Sequence, residues 1–317
     1  MFVKDSILAI DLSRDAVRVL DVRQKKSGPR VQAFATQTVE AGTNETLPDR
    51  HLRALGSLID THRLKSKRCV SALPTSLVIS RSVAIDPSKP QSPEEQIRWT
   101  LQNCLPFDPK DLAFDFWPVG EPKPNARTRD VLVVAVQASV VQRYLQGFEK
   151  LGLTCEHLDV APCAVASLLI RQSSFAEGTI CTVAIAENTG YFAVVENKQL
   201  LFWRPFEISN AAQKYSSSGL DRVGDEISKC VSHMVGTMQL DNLSELLLFG
   251  NGAEDEKFAE YLTSRFHIPV RAPSPFDALT ADSMAPEVRA AVQPNVATHF
   301  AAAVGLALQP QGVSIHG

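Results

Sequence analysis

The sequence has no Cys-x-x-Cys pair, no His-Glu-x-x-His helix and no Gly-x-Ser-x-Gly elbow. Zinc-ribbon, zincin and α/β-hydrolase chemistry are therefore excluded at the level of motif. The seven histidines are isolated from one another, so no metal ligand set is expected. Six cysteines are scattered, mostly inside apolar runs, and read as buried reduced thiols of a cytosolic protein. Net charge is only −3, which calls for neither nucleic acid nor an anionic membrane surface. No apolar run approaches the length of a membrane span, and the opening MFVKDS lacks the apolar core of a signal peptide. The expectation is a soluble, cytosolic chain without direct membrane insertion.

What is present is repetition. ILAIDLSRDAVRVLDVR, residues 7–23, reads as two strands joined by a tight turn at Ser13-Arg14-Asp15, with Asp11 near the end of the first strand. TVAIAENTGYFAVV, residues 182–195, repeats the pattern around Glu187-Asn188-Thr189-Gly190, with Ala184 in the place of Asp11. Two such hairpins, each opening about half the chain, predict a duplicated fold facing a shared cleft. At 317 residues the chain is long enough for two cores.

In the first half, strands are expected at 7–23 and 29–39, a helix at 47–64 and a strand at 69–73. Residues 75–136 read as an insertion of strand, helix, strand, strand. Its helix starts at Ser92-Pro93-Glu94-Glu95, with a cap, a proline at the first helical position and a glutamate able to bond back. It should bury Ile97, Leu101, Cys104 and Leu105 and stop at Pro106. Beyond the insertion come a helix capped by Ser139 and ended by Gly152, a strand at 154–160 and a helix at 162–170. The second half repeats the order: strands at 180–186, 191–196 and 199–207, a helix within 219–240, a strand at 246–249, a helix at 254–265, a strand at 267–271 and a helix at 295–308. The predicted division is 1–74 with 137–173, the insertion 75–136, and 174–317. Trp99, Trp117 and Trp203 are expected in cores or interfaces.

A duplicated β-β-β-α-β-α-β-α unit is the plan of the actin, Hsp70 and sugar-kinase superfamily. More narrowly, AIDLSRDAVRVLDV, SALPTSLVISRSV, EEQIRWTLQNCLPF, LLLFGNGAE and AAAVGLALQ, in this order and spacing, resemble the type IV pilus assembly protein PilM family. FtsA and the cytosolic part of GspL are more distant relatives. The resemblance implies an α/β, actin-like duplicated ribonuclease H-like fold with the inserted subdomain shared with FtsA.

The resemblance also implies a nucleotide cleft, to be tested residue by residue. In the family's first loop, Asp-x-Gly-Ser/Thr, Asp11 matches, Ser13 replaces the glycine and Arg14 replaces the hydroxyl residue, while Arg18 lies at the usual lysine position. Arg14 reads either as a guanidinium donor to phosphate or as a solvated turn residue. In the second loop Asp-x-Gly becomes Ala184-Ile185-Ala186, which removes magnesium and general-base roles together; Glu187 reads as a substitute acid or a surface turn residue. The turn Gly250-Asn251-Gly252-Ala253 keeps the glycines of the adenosine side, a pattern that is also ordinary turn punctuation. Asp11, Ser13, Arg14, Gly250 and Gly252 thus form the candidate, degenerate nucleotide site. ATP and magnesium are the cofactors implied by resemblance and opposed by the residues, so no catalytic residue is expected.

The resemblance implies a non-enzymatic scaffold of a pilus or secretion platform, peripheral to the inner membrane through its partners. It would bind the N-terminal cytosolic segment of a PilN-like bitopic membrane protein in a groove between the first domain and the insertion, and contact other platform components. The alternatives are an actin-like ATPase whose nucleotide state regulates pilus assembly, an FtsA-like filament, and a GspL-like cytosolic part.

Overall fold

In the computed structural model, β1 (Ser6–Leu12) and β2 (Ala16–Lys25) form the expected antiparallel hairpin, and β3 (Gly28–Thr38) pairs with β2. The residues described are 6–25, 28–40, 44–105, 108–120, 127–171, 178–187, 189–208, 217–234, 236, 243–279 and 283–309. Helix α1 (Leu47–Thr61) starts at Thr46, whose hydroxyl accepts from the Asp49 amide, and leads into β4 (Arg68–Leu73), parallel to β1.

The insertion follows as β5 (Ile79–Ile85), α2 (Pro93–Gln102), β6 (Leu112–Pro118) and β7 (Arg129–Gln137). Both bonds of the capping box at Ser92 and Glu95 form. The helix ends at Gln102, earlier than expected, because the Asn103 side chain bonds back to the Trp99 carbonyl and the last amides tighten to i−3 acceptors. Cys104 is consequently exposed, and only Ile97 and Leu101 are fully buried on α2. Pro106, the expected stop, lies outside the described residues. Trp99 is 70% exposed, contrary to the expected core or interface role.

Helix α3 (Ala138–Lys150) begins one residue before Ser139, without a side-chain cap, and buries Tyr144, Gly147 and Phe148. β8 (Thr154–Val160) and α4 (Ala161–Arg171) complete the first half. The second half contains β9 (Thr179–Ile185), β10 (Thr189–Glu196), β11 (Gln199–Glu207), α5 (Ser217–His233), β12 (Leu243–Gly250), α6 (Glu256–Phe266) and β13 (Val270–Arg271). The strand expected at 267–271 shrinks to two residues because His267 turns left-handed to close α6. The end of the helix expected at 219–240 lies outside the described residues. A short α7 (Pro286–Ala291) was not expected. The expected helix at 295–308 is divided into α8 (Pro294–Ala297), a 3-10 turn at Thr298–Phe300 and α9 (Ala301–Leu308).

The two large sheets have the orders β3-β2-β1-β4-β8 and β11-β10-β9-β12-β13, with matching antiparallel and parallel pairs; the duplication expected from the hairpins is present strand for strand. The insertion is a separate sheet, β5-β7-β6. One face of it, including Val83, Val131 and Val133, packs on Ile97 and Leu101, while Trp117, Leu132 and Val134 join the main core.

Helices α4 and α9 are buried almost throughout, and their small residues let them approach closely. A Cβ on Gly305 would stand 1.8 Å from the Ala164 carbonyl oxygen, backbone that cannot move aside without shifting a helix. Gly305→Ala is expected to destabilise the protein by about 3 kcal/mol through overpacking, read as a lower urea midpoint at unchanged m; an unchanged midpoint would show that the helices can separate freely.

Candidate functional site

The register of the two hairpins defines the site. Asp11 pairs with Arg18 across the first hairpin, and Ala184 pairs with Tyr191 across the second. Each turn closes identically: the Ser13 amide donates to the Ala16 carbonyl and the Ala186 amide to the Thr189 carbonyl. Ala184 is therefore the structural equivalent of Asp11, and Tyr191 that of Arg18. Both turns, Gly250, Thr298 and His299 line one central cleft, whose volume is about 70 Å³.

Asp11 is 4% exposed, and its Oδ2 lies 3.5 Å from Arg18 Nη1. Among the described residues its Oδ1 has no hydrogen-bond partner. Burial pushes its pKa up to about 6, against the opposing attraction of Arg18 and with a further raise from Asp15. Arg18 Nη1 also donates to Ser13 Oγ at 2.7 Å, and Nη2 lies 3.5 Å from His299 Nδ1. The cation that faces the carboxylate is thus held by neighbours on both sides.

Ser13 adopts no left-handed backbone, and its hydroxyl donates within the turn, to Asp15 Oδ1 or the Ala16 carbonyl. Behind it, the buried His51 of α1 bridges Ser13 to α3: Nε2 donates to the Ser13 carbonyl at 2.8 Å and Nδ1 accepts from Tyr144 Oη at 2.6 Å. Burial pushes the His51 pKa down to about 4, so the ring is neutral at physiological pH. Sequence reasoning missed this support, because a lone histidine on a helix face carries no signal of a tyrosine 93 positions away.

Asp15, expected in the first turn, has a partner that sequence reasoning missed. Its Oδ2 accepts from the Glu187 amide at 2.8 Å, joining the first turn to the second. That amide is the kind of turn donor a phosphate oxygen would use, and a carboxylate already holds it. Arg14 is half exposed and 3.9 Å from the exposed Glu207, a contact of little energetic weight. Gly250 has φ +79°, and a Cβ there would stand 2.2 Å from the Ile185 carbonyl oxygen. This glycine is required by the approach of β12 to β9. Gly252 lies in the same turn but does not line the cleft.

Of the candidate residues, the cleft brings together Asp11, Ser13, Arg14 and Gly250. They fit a hydrolytic magnesium nucleotide poorly. Nucleotide-sized ligands occupy cavities of roughly 300 Å³ or more, the only acid at the paired positions is ion-paired to an arginine, and its counterpart is an alanine.

Two sheets of the same strand order, hairpin turns facing each other across a cleft, and an inserted three-stranded subdomain define a protein of the actin-like ATPase fold. A family model described as type IV pilus assembly protein PilM matches residues 9–211, and the chain belongs to that family. A solved PilM–PilN type IV pilus biogenesis complex is similar at TM-score 0.77 and 19% identity, over 96% of this chain and 99% of that one. A Bacteroides thetaiotaomicron protein with actin-like ATPase fold and unknown function is similar at TM-score 0.54 and 12% identity, over 87% and 96%. The ethanolamine utilization protein EutJ from Carboxydothermus hydrogenoformans is similar at TM-score 0.50 and 13% identity, over 96% and 89%. The chain's role lies in type IV pilus assembly. Among the described residues, no helix is long and apolar enough to cross a membrane.

The shifted acid generates a pH signature. An acid whose folded pKa exceeds its unfolded value stabilises the fold fully below about pH 4, and loses that contribution as pH rises through about 6. His51, depressed instead, contributes the opposite slope over an overlapping range. Comparison with Asp11→Asn isolates the acid: the stability of the natural chain relative to this variant should fall by about 3 kcal/mol between pH 4 and 7.5. Urea unfolding at the two pH values measures it, and parallel changes in both proteins would place Asp11 at an ordinary pKa.

Proposed function

We propose that this chain is a non-enzymatic scaffold of the inner-membrane assembly platform of type IV pili. The observation that carries the reading is Ala184 at the position equivalent to Asp11. A methyl group neither orients a metal-bound water nor accepts a proton, so the two-acid chemistry of a nucleotide hydrolase has no second acid here. The narrow cleft, the Asp11–Arg18 pair and the Asp15 bond across it support the same reading.

The partner of this scaffold is the N-terminal cytosolic segment of a PilN-like bitopic membrane protein, a reading supported by the similarity to a PilM–PilN complex. That segment docks in a groove between the first domain, 1–74 with 137–173, and the insertion, 75–136, while residues 174–317 form the second domain. The chain acts on the cytosolic side of the inner membrane, held there by its partners, and links them to other platform components.

The unpaired Asp11 Oδ1 and the place of Gly250 in the cleft wall favour a second reading, nucleotide binding without hydrolysis. Asp11, Ser13, Arg14 and Gly250, with Gly252 in the adjoining turn, would form that site.

Thermal unfolding with and without millimolar Mg-ATP separates these readings. A ligand at a hundred times its dissociation constant adds about 2.7 kcal/mol of stability. The scaffold reading expects no rise in melting temperature, no phosphate release, and saturable binding of a synthetic peptide with the PilN-like tail sequence. Phosphate release abolished by Asp11→Asn would overturn it in favour of an ATPase; a rise without release would establish a nucleotide-binding scaffold.

A further inference from the structure

A second surface at the opposite side of the insertion carries the marks of a binding site. The start of β5 and the strand β11 face each other across a cleft of about 460 Å³, lined by Val78, Ile79, Arg81, Phe202, Trp203 and Arg204 among others. Among the described residues each strand is the edge of its own sheet, β5 pairing with β7 and β11 with β10, and the two edges approach each other. An edge strand presents unpaired amides and carbonyls, and β5 contains no proline to blunt it. Its counterpart β11 carries Pro205, which lacks an amide and makes that side a wall rather than a pairing edge.

The charged groups of the cleft are both cations. Arg81 and Arg204 are exposed, and among the described residues neither forms an ion pair. Trp203, on the opposite face of β11 from Phe202 and Arg204, is 1% exposed and packs into the main core, so it closes the floor of the cleft rather than offering a polar group. A single arginine on an edge is a common guard against strand pairing. Two arginines lining one cleft, beside an apolar wall of Phe202 and Ile79, go beyond a guard.

We propose that this cleft docks an extended acidic segment of a partner protein, which adds to the free edge of β5 with its carboxylates on Arg81 and Arg204. Main-chain bonds to β5 would supply affinity, and the arginines would select acidic over neutral or basic strands. The surface spans the insertion and the second large sheet, where Trp117 of β6 also donates to the Leu200 carbonyl at 2.9 Å. An occupant would therefore touch both bodies and report their relative position. This site is distinct from the groove proposed for the PilN-like segment and does not depend on it.

The test uses the full chain and a fluorescein-labelled ten-residue peptide of alternating valine and glutamate, with a valine–lysine peptide as control. Fluorescence polarisation should show saturable binding of the acidic peptide only, weakened at least tenfold in the Arg81→Glu/Arg204→Glu double variant. Arg81→Lys/Arg204→Lys should retain most of the binding, and Lys257→Glu, on the remote helix α6, should leave it unchanged. Melting temperatures equal to the natural chain would establish that the variants fold. Binding of both peptides alike, equal binding of a ten-nucleotide polythymidylate, no binding, or an acidic-peptide affinity indifferent to the double substitution would each overturn the proposal. Binding of the PilN-like tail peptide, measured on the same variants, should be unaffected; its loss together with the acidic peptide would merge the two sites and overturn the second.

Discussion

Helices α4 and α9 meet with almost no side chain between them, and everything else about the molecule is arranged around that contact. Ala161 and Ala164 on one side and Ala301, Ala302 and Gly305 on the other share faces at helical spacing, and Gly305 meets the Ala164 backbone at the limit of approach. Dispersion and burial per atom are greatest at such distances, and one methyl too many removes them. The contact joins the two large sheets through one continuous core, in which Leu8 and Val19 belong to the same cluster as Leu247 and Trp203. It also brings the two hairpin turns close enough for Asp15 to reach the Glu187 amide.

A cleft formed in this way is symmetric in backbone and asymmetric in chemistry. The same register places Asp11 opposite Arg18 in one hairpin and Ala184 opposite Tyr191 in the other. On one side a buried carboxylate is balanced by a guanidinium, and its pKa is still raised because desolvation outweighs the attraction. On the other side burial drives the Tyr191 hydroxyl further from ionisation. The Tyr144–His51–Ser13 chain holds the first turn from behind with a neutral imidazole, so support for the turn does not require a charge.

The insertion adds surface rather than core. Its own small cluster needs only α2 and one face of the sheet, while Trp117 and its neighbours attach the other face to the main body. Because β5 stays an edge strand beside the second large sheet, the insertion leaves a cleft at that junction. In an assembly protein, interfaces at the seams between subdomains are where binding can sense geometry.

The succession of strands and helices, the duplication, the insertion and the capping box at Ser92 were legible from local pattern, since alternation, helical spacing and cap chemistry act over a few residues. So was the place of Ala184, because the two hairpins align by their own turns and set it where Asp11 stands. Local pattern failed where neighbours distant in sequence decide. Trp99 looked like core and is exposed, Ser139 looked like a cap and lies inside α3, and the last helix is broken at Thr298–Phe300, where Phe300 packs edge-on against Phe34. The candidate cleft divides in the same way. Asp11 and the glycines could be named from the sequence. The Arg18 counter-ion held by His299, the Asp15 bond to the second turn and the narrowness of the cleft arise only when segments up to 281 residues apart meet. Pairing across such separations depends on the packed position of whole helices, which no short stretch of sequence encodes.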